Sequence, residues 1–93
     1  MPASIRVEPR GPGHFQVTVA EGASQTIHTV SLSAGYYEKL TERQVSEEVL
    51  IERSFEFLLE RETKESILRE FDLPLIGRYF PDYEKEISRL LAN

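Results

Sequence analysis

The side chains that could carry chemistry are few, and they begin with two histidines, His14 and His28. Imidazole nitrogens bind metals and accept protons near neutral pH. His14 follows a Pro-Gly turn, and the alternation of a strand places His28 on an apolar face. A metal site needs at least one more ligand, and the first third of the chain offers only Glu8 and Glu21. We therefore expect each histidine to have an edge or packing role, and we predict no metal site.

The hydroxyl and carboxyl side chains do not form a recognisable catalytic pattern. The sequence has no G-x-S-x-G motif, and no serine stands in a recognisable context with a histidine and an aspartate. An acid–base pair needs one carboxyl with a shifted pKa in a cleft. Glu56 and Glu60 lie four residues apart on an exposed helix face, and Glu48 and Glu52 are more typical of structural ion pairs. We predict that the protein is not an enzyme and needs no cofactor.

An aromatic and basic group near the C-terminus could instead bind protein. It lies in the sequence RYFPDY. Tyrosine, phenylalanine and arginine are enriched at protein–protein interfaces, so we predict a candidate protein-binding group that contains Arg78, Tyr79, Phe80 and Tyr83. The alternative is that Phe80 and Tyr83 anchor the last helix to the core through the proline between them.

The charge of the chain argues against two classes of partner. The net charge is −5, and all of it comes from residues 33–93, because residues 1–32 hold equal numbers of acidic and basic side chains. Nucleic-acid binding depends on Lys and Arg neutralising phosphates. Anionic membrane surfaces also attract basic segments. We therefore expect neither nucleic acid nor a membrane to be the partner.

The length and composition are typical of a single small domain. The 93 residues show no repeat, linker or low-complexity tract, so we predict one domain over residues 1–93. The absence of cysteine excludes disulfides and thiolate metal sites. No apolar run approaches the roughly 18–20 residues that span a bilayer. The N-terminus also lacks the apolar stretch of a secretory signal, and we expect a cytoplasmic protein.

The first third of the chain predicts a small antiparallel β-sheet of two or three strands within residues 4–32. Residues 14–20, HFQVTVA, alternate between apolar and polar side chains, and residues 26–32, TIHTVSL, are strand-like again. A loop of about five residues between them is typical of a hairpin. Residues 4–8, SIRVE, could add an edge strand.

The rest of the chain has the apolar period of helices, which gives an α+β fold. We predict helices near residues 33–43, 46–62, 63–71, 72–80 and 82–91. Ser33 and Ser46 stand where a helix N-cap is expected. Gly77 weakens the fourth helix and Pro81 ends it.

The helix at 46–62 has apolar side chains over an arc of roughly 200°, whereas a helix covered on one side needs only about 100°. The arc contains Leu50, Ile51, Phe55, Phe57, Leu58 and Leu59. Such a helix must be covered on two sides, and its second cover is either the C-terminal helices of its own chain or a second subunit. A homodimer would use Leu50, Ile51, Phe55 and Leu58.

Residues 26–62 resemble a ribbon-helix-helix unit, in which a short strand is followed by two helices. The segments are TIHTVSL, SAGYYEKLTER and, at the start of the second helix, VSEEVLI. The resemblance implies an intertwined dimer that binds DNA, such as a regulator or an antitoxin. Such proteins read the major groove with polar, often basic side chains on the outward strand face. Here that face holds Ile27, Thr29 and Ser31, and the strand at 14–20 offers a partner within the chain.

The C-terminal sequences FEFLLERE, ESILREFDL and IGRYFPDYE are similar in style to small bacterial proteins of unknown function, which implies no activity. The prediction that the residues favour is a small, non-catalytic interaction module whose partner is a protein or a second copy of the chain. The alternative prediction is a ribbon-helix-helix type of DNA-binding regulator.

Overall fold

Alternating apolar and polar residues produce three antiparallel strands at the start of the chain. The computed structural model describes residues 3–91, and its first strands are β1 (Ser4–Pro9), β2 (His14–Glu21) and β3 (Ser24–Ser31). Strand β2 pairs with both neighbours, and Val17 lies opposite Val7 on one side and His28 on the other. The predicted sheet is confirmed.

The helical part contains four α-helices and one short 3₁₀ turn within the described residues. They are α1 (Ala34–Thr41), α2 (Glu47–Leu59), the 3₁₀ turn Lys64–Ser66, α3 (Leu75–Tyr79) and α4 (Tyr83–Leu91). Ser33 and Ser46 are N-caps, and each hydroxyl accepts a hydrogen bond from the backbone N–H three residues later, at 3.2 Å. The α+β fold is therefore confirmed, with helices at three of the five predicted positions close to their expected bounds.

A fourth strand was not predicted from the sequence. Strand β4 (Glu70–Asp72) pairs with β3 in parallel, so that Phe71 lies beside Val30. The sheet order is β1-β2-β3-β4, and the sheet is mixed.

Two of the predicted helices are wrong in whole or in part. The helix expected at 63–71 is a 3₁₀ turn followed by β4, and the helix expected at 72–80 is limited to α3. Ile67, Leu68 and Phe71 have a spacing that suits a helix. The open edge of β3 decides otherwise, because its N–H and C=O groups need partners. The N–H of Thr29 donates to the Arg69 carbonyl at 2.7 Å, and the N–H of Leu73 donates to the Ser31 carbonyl at 2.9 Å.

Helix α2 is covered on two sides within one chain. Its apolar side chains pack against the inner face of the sheet and against α4. The core on these two sides includes Val17, Val30, Phe55, Phe57, Tyr83 and Ile87, all at most 1% exposed. The predicted need for two covers is met by the sheet on one side and α4 on the other. None of the described helices is long and apolar enough to cross a membrane.

Candidate functional site

An apolar groove lies where the C-terminal end of α2 meets the segment that leads into β4. We call residues 60–69 the connecting segment. The groove has a volume of about 390 Å³, and its apolar walls come from α2, the connecting segment, β4 and α3. Glu62 and Ser66 contribute polar groups to the lining, and its apolar side chains include Leu58, Ile67, Leu68, Phe71, Ile76 and Tyr79. Its size falls within the range of about 300–1,000 Å³ that is usual for ligand pockets.

The floor of the groove belongs to the core, whereas its rim is exposed. Leu58, Ile67 and Ile76 are at most 5% exposed, so the floor is fixed by packing. On the rim, Leu68 is 47% exposed and Tyr79 is 66% exposed. Together with Ile27, they are the exposed large apolar side chains among the described residues. An apolar floor that continues into exposed apolar side chains is typical of a binding surface.

His28 holds the rim residue Leu68 in place. Its side chain is fully buried on β3 and contacts the ring of Phe55, with ring centroids 5.4 Å apart. Nδ1 of His28 lies 2.8 Å from the carbonyl oxygen of Leu68, and Nε2 lies 2.9 Å from the hydroxyl of Thr26. A carbonyl oxygen can only accept, so Nδ1 carries the hydrogen and Nε2 accepts from Thr26. Nδ1 therefore joins the hairpin to the connecting segment, whereas Nε2 bonds to a neighbour on the same strand.

The surroundings of His28 favour its neutral form. Burial lowers the pKa of the imidazole below its ordinary value, and the positive charge of Arg69 lowers it further, while the bond to the Leu68 carbonyl acts in the opposite direction. Neutral imidazole also suits the observed pattern of one donor and one acceptor. The histidine is a structural side chain in this arrangement.

An ion pair holds the other end of the connecting segment. The Nζ atom of Lys64 lies 3.1 Å from Oε1 of Glu21, at the end of β2, and 2.8 Å from Oε2 of Glu65. The lysine side chain is only 6% exposed, although both carboxylates reach solvent. The pKa of Lys64 is raised, first by the bond to Glu65 and then by Glu21. The connecting segment is thus tied to the hairpin at two points, through Lys64 and through Leu68.

Glu62 is the charged side chain that lines the groove, among the residues that the structure describes. It is half-buried, and its carboxylate makes no ion pair or hydrogen bond with another described residue. Burial raises the pKa of this carboxyl above its ordinary value. The groove therefore combines apolar walls with one carboxylate that has lost part of its hydration and has gained no partner.

The four residues of the predicted protein-binding group lie in different environments. Arg78 and Tyr79 are exposed, and Tyr79 lines the groove. Phe80 is half-buried, lines the groove and packs edge-on against Phe57, with ring centroids 5.9 Å apart. Tyr83 is 0% exposed and therefore cannot take part in a surface.

The burial of Tyr83 has a clear cause. Its hydroxyl lies 2.6 Å from the hydroxyl of Ser54 on α2, and its ring contacts Phe57 at 5.3 Å. Burial also raises the pKa of its phenol above the ordinary value. Phe80 and Tyr83 both pack against Phe57 on α2. These contacts fit the alternative in which the two side chains anchor the last helix to the core.

The residues proposed for a homodimer are also inside the chain. Leu50, Ile51 and Phe55 are 0% exposed and Leu58 is 4% exposed. A dimer through these side chains stays a prediction, and it would require them to leave the core that the structure shows.

The two histidines lie at different places in the sheet. His14 is exposed and lies opposite Ser31, whereas His28 is buried opposite Val17. Within residues 3–91 there is no group of three His, Asp or Glu side chains that could hold a metal ion.

Strand β3, which would read DNA in a ribbon-helix-helix protein, lies inside the sheet. Both its edges are paired within the chain, to β2 and to β4. Its outward face holds Ile27, Thr29 and Ser31, as expected, and none of them is basic. The DNA-binding alternative stays a prediction, and no feature of this face adds to it.

The chain was compared with protein-family models, with curated proteins and with solved structures, and no match was found in any of the three. The fold and the groove are therefore the basis for a functional proposal.

Sequence reasoning found part of the groove and missed the rest. Tyr79 and Phe80 were recognised from their residue types. Leu68 was not, because the helix predicted at 63–71 places it on an apolar edge with Ile67. Glu62 was not, because it is the last residue of the helix predicted at 46–62, whereas α2 ends at Leu59. The adjacent pair Ile67 and Leu68 was one available signal. Neighbouring side chains in an extended segment point to opposite sides, so these two apolar side chains could not both face the core.

Proposed function

We propose that the protein is a non-catalytic interaction module, and that the apolar groove binds a segment of a partner protein. The observation that carries the proposal is the continuity between the buried floor and the exposed Leu68 and Tyr79 on the rim. Two exposed side chains of this size around one groove expose apolar area to water, and a partner's apolar side chains would remove it from water. Tyrosine is also enriched among the residues that dominate binding energy.

The construction of the wall supports binding without a large rearrangement. Leu68 is fixed through its carbonyl by His28, and Lys64 fixes the start of the same segment through Glu21. A groove that is formed before binding loses less conformational entropy when the partner docks. These polar contacts therefore fix the shape of the binding surface before a partner binds.

The use of the polar side chains supports a non-catalytic role. Both nitrogens of His28 are engaged in structural hydrogen bonds, and the hydroxyls of Ser54 and Tyr83 bond to each other in the core. A general base or nucleophile needs a side chain that is free to meet a substrate. These side chains are committed to the fold. Glu62 is the one carboxylate among the described residues that line the groove, and it lacks the second carboxyl of an acid–base pair beside it.

The direct experiment is a selection from a library of random 16-residue peptides displayed on phage, with the wild-type chain immobilised. We expect recovered peptides to bind the wild-type chain with a Kd in the micromolar range. A double variant, Leu68→Ser with Tyr79→Ser, should lose about tenfold or more of that affinity, because it removes apolar area on the rim. The matched control is Ile27→Ser, which changes an exposed apolar side chain on the opposite face of the sheet and should bind as the wild-type chain does.

Two other occupants would overturn the proposal. A dimer in light scattering that disappears in the double variant would assign the groove to a second copy of the chain. If no peptide is enriched on the wild-type chain relative to the double variant, the groove does not bind a protein segment. In that case a library of apolar fragments that raises the Tm would identify a small-molecule pocket instead.

A further inference from the structure

We infer that the partner segment presents a lysine or arginine to Glu62, placed between apolar side chains that fill the groove. This inference rests on the proposed function and adds the chemistry of the partner. It makes Glu62 the residue that determines specificity, while the apolar walls supply most of the contact area.

The position of Glu62 is the first argument. Its carboxylate lies in a mainly apolar wall, and it makes no ion pair with any basic side chain that the structure describes. Arg69 follows the groove residue Leu68, and Arg78 precedes the groove residue Tyr79, but neither arginine lines the groove. A half-buried carboxylate without a partner is costly to keep ionised. A cation from the partner would restore the lost interaction in surroundings where it is screened less than in water.

The end of α2 is the second argument. Glu62 follows the last helical residue, Leu59, and its N–H donates to the Leu58 carbonyl at 2.9 Å. The C-terminal end of a helix carries a partial negative charge and favours cations. The last turn of α2 contains no basic residue. Arg61, just beyond it, donates to the Phe57 carbonyl at 3.1 Å and pairs with Asp82 at 3.4 Å, and it does not line the groove. The helix end and the carboxylate of Glu62 therefore favour the same kind of ligand.

The charge also argues against a second copy of the chain as the occupant. In a two-fold symmetric dimer the same surface meets itself, so two grooves would bring two Glu62 side chains towards each other. Both copies would also carry a net charge of −5. A basic partner segment meets neither obstacle, and opposite charge would speed its association.

The test uses peptides recovered by the phage selection. We expect a lysine or arginine to be enriched at one position between apolar residues. The selected peptide is compared with a version in which norleucine replaces that basic residue, against the wild-type chain and Glu62→Gln. The basic peptide should bind Glu62→Gln about tenfold or more weakly, because the amide oxygen of glutamine still accepts a hydrogen bond but carries no charge to strengthen it. The norleucine peptide should bind the wild-type chain no more tightly than Glu62→Gln, because it buries the carboxylate without supplying a cation.

Two controls separate the charge from the fold. Glu60→Gln removes a carboxylate from the same region of the chain, but Glu60 is exposed and lies outside the groove. This variant should therefore bind the basic peptide with the affinity of the wild-type chain. A carboxyl ¹³C titration gives an independent readout, since the pKa of Glu62 should fall when the basic peptide binds and should not fall with the norleucine peptide.

The outcomes distinguish this inference from the proposed function. If peptides are selected through Leu68 and Tyr79 but contain no basic position, or if Glu62→Gln binds the basic peptide unchanged, the inference is wrong and the interaction module remains. If no peptide is selected at all, the proposed function fails and the inference fails with it.

Discussion

The Nδ1 atom of His28 lies 2.8 Å from the carbonyl oxygen of Leu68, a residue forty positions further along the chain. This contact joins the middle of β3 to the rim of the groove. Because the carbonyl can only accept, it also fixes which nitrogen of the imidazole carries the hydrogen. His28 therefore contributes both to the fold and to the candidate binding surface. The first two predictions test its contact with Leu68.

The first prediction concerns pH. The pKa of His28 is lower in the folded chain than its ordinary value of 6.5. The unfolded chain therefore takes up a proton more readily when the pH falls below 6.5. The contribution of neutral His28 to the free energy of unfolding should be complete above that pH and should decline as the pH falls towards the lower folded-state pKa.

Urea unfolding of the wild-type chain and His28→Gln between pH 7.5 and 5 measures this effect. At pH 7.5 the variant should be less stable by about 2 kcal/mol, since it disturbs two buried hydrogen bonds. The difference should shrink as the pH falls below 6.5. His14→Gln, which changes an exposed histidine, should follow the wild-type curve. A difference that stays constant with pH would contradict the role assigned to His28.

The second prediction concerns the hydrogen-bond directions around His28. Long-range ¹H–¹⁵N correlation spectra should show Nδ1 protonated and Nε2 unprotonated at pH 7.5. Thr26→Val removes the hydroxyl that donates to Nε2 and leaves a buried acceptor unsatisfied, which should cost about 1–3 kcal/mol. Thr29→Val changes an exposed residue on the same strand and should alter stability by no more than about 0.5 kcal/mol. Protonation at Nε2 instead would show that the contact with Leu68 is not made in solution.

The third prediction contrasts two glycines. Gly13 has a φ of +73°, and an added Cβ would lie 3.1 Å from the carbonyl oxygen of Leu32. Gly13→Ala should therefore destabilise the chain by more than about 1 kcal/mol. Gly35 lies in α1 with open space around it, and Gly35→Ala should stabilise the chain by about 0.5 kcal/mol. Thermal and urea unfolding of both variants check the two signs, and equal effects would contradict the turn geometry at Gly13.

The fourth prediction concerns the tyrosines. Burial raises the pKa of both Tyr36 and Tyr83, and Tyr36 also donates to Glu84 at 2.9 Å. Both phenols favour their neutral form in the folded chain, so their contribution to stability is complete below pH 10 and is lost as the pH rises above it. Absorbance at 295 nm should show these two of the four tyrosines ionising only when the chain unfolds. Tyr83→Phe and Tyr36→Phe should each remove one of the late-ionising groups, and ionisation of all four in the folded chain would contradict their placement.

The sequence predicted the parts of the fold that follow from local periodicity. The alternation in β2 and β3 and the serines before α1 and α2 act on neighbours in the chain, and the structure confirms them. The wide apolar arc of α2 correctly required two covers, which the sheet and α4 provide.

The parts that failed depend on contacts between distant residues. Strand β4 has only three residues, and it forms because β3 offers an open edge to Phe71 and its neighbours. No local pattern contains that information. The groove arises in the same way, since Glu62 and Tyr79 both line it although β4 lies between them in the sequence. The burial of Tyr83 likewise depends on Ser54, a distant residue on α2.

The central claim is that the groove binds a partner segment, and amide chemical-shift mapping with a phage-selected peptide tests it most directly. The account predicts that the largest shifts in ¹H–¹⁵N spectra fall on residues 58–80, with the strongest around Leu68 and Tyr79. The outward face of the sheet around Ile27 should be unaffected. At a peptide concentration near the wild-type Kd, the double variant Leu68→Ser with Tyr79→Ser should show much smaller shifts than the wild-type chain. Shifts concentrated on the sheet, or equal shifts in the double variant, would contradict the account.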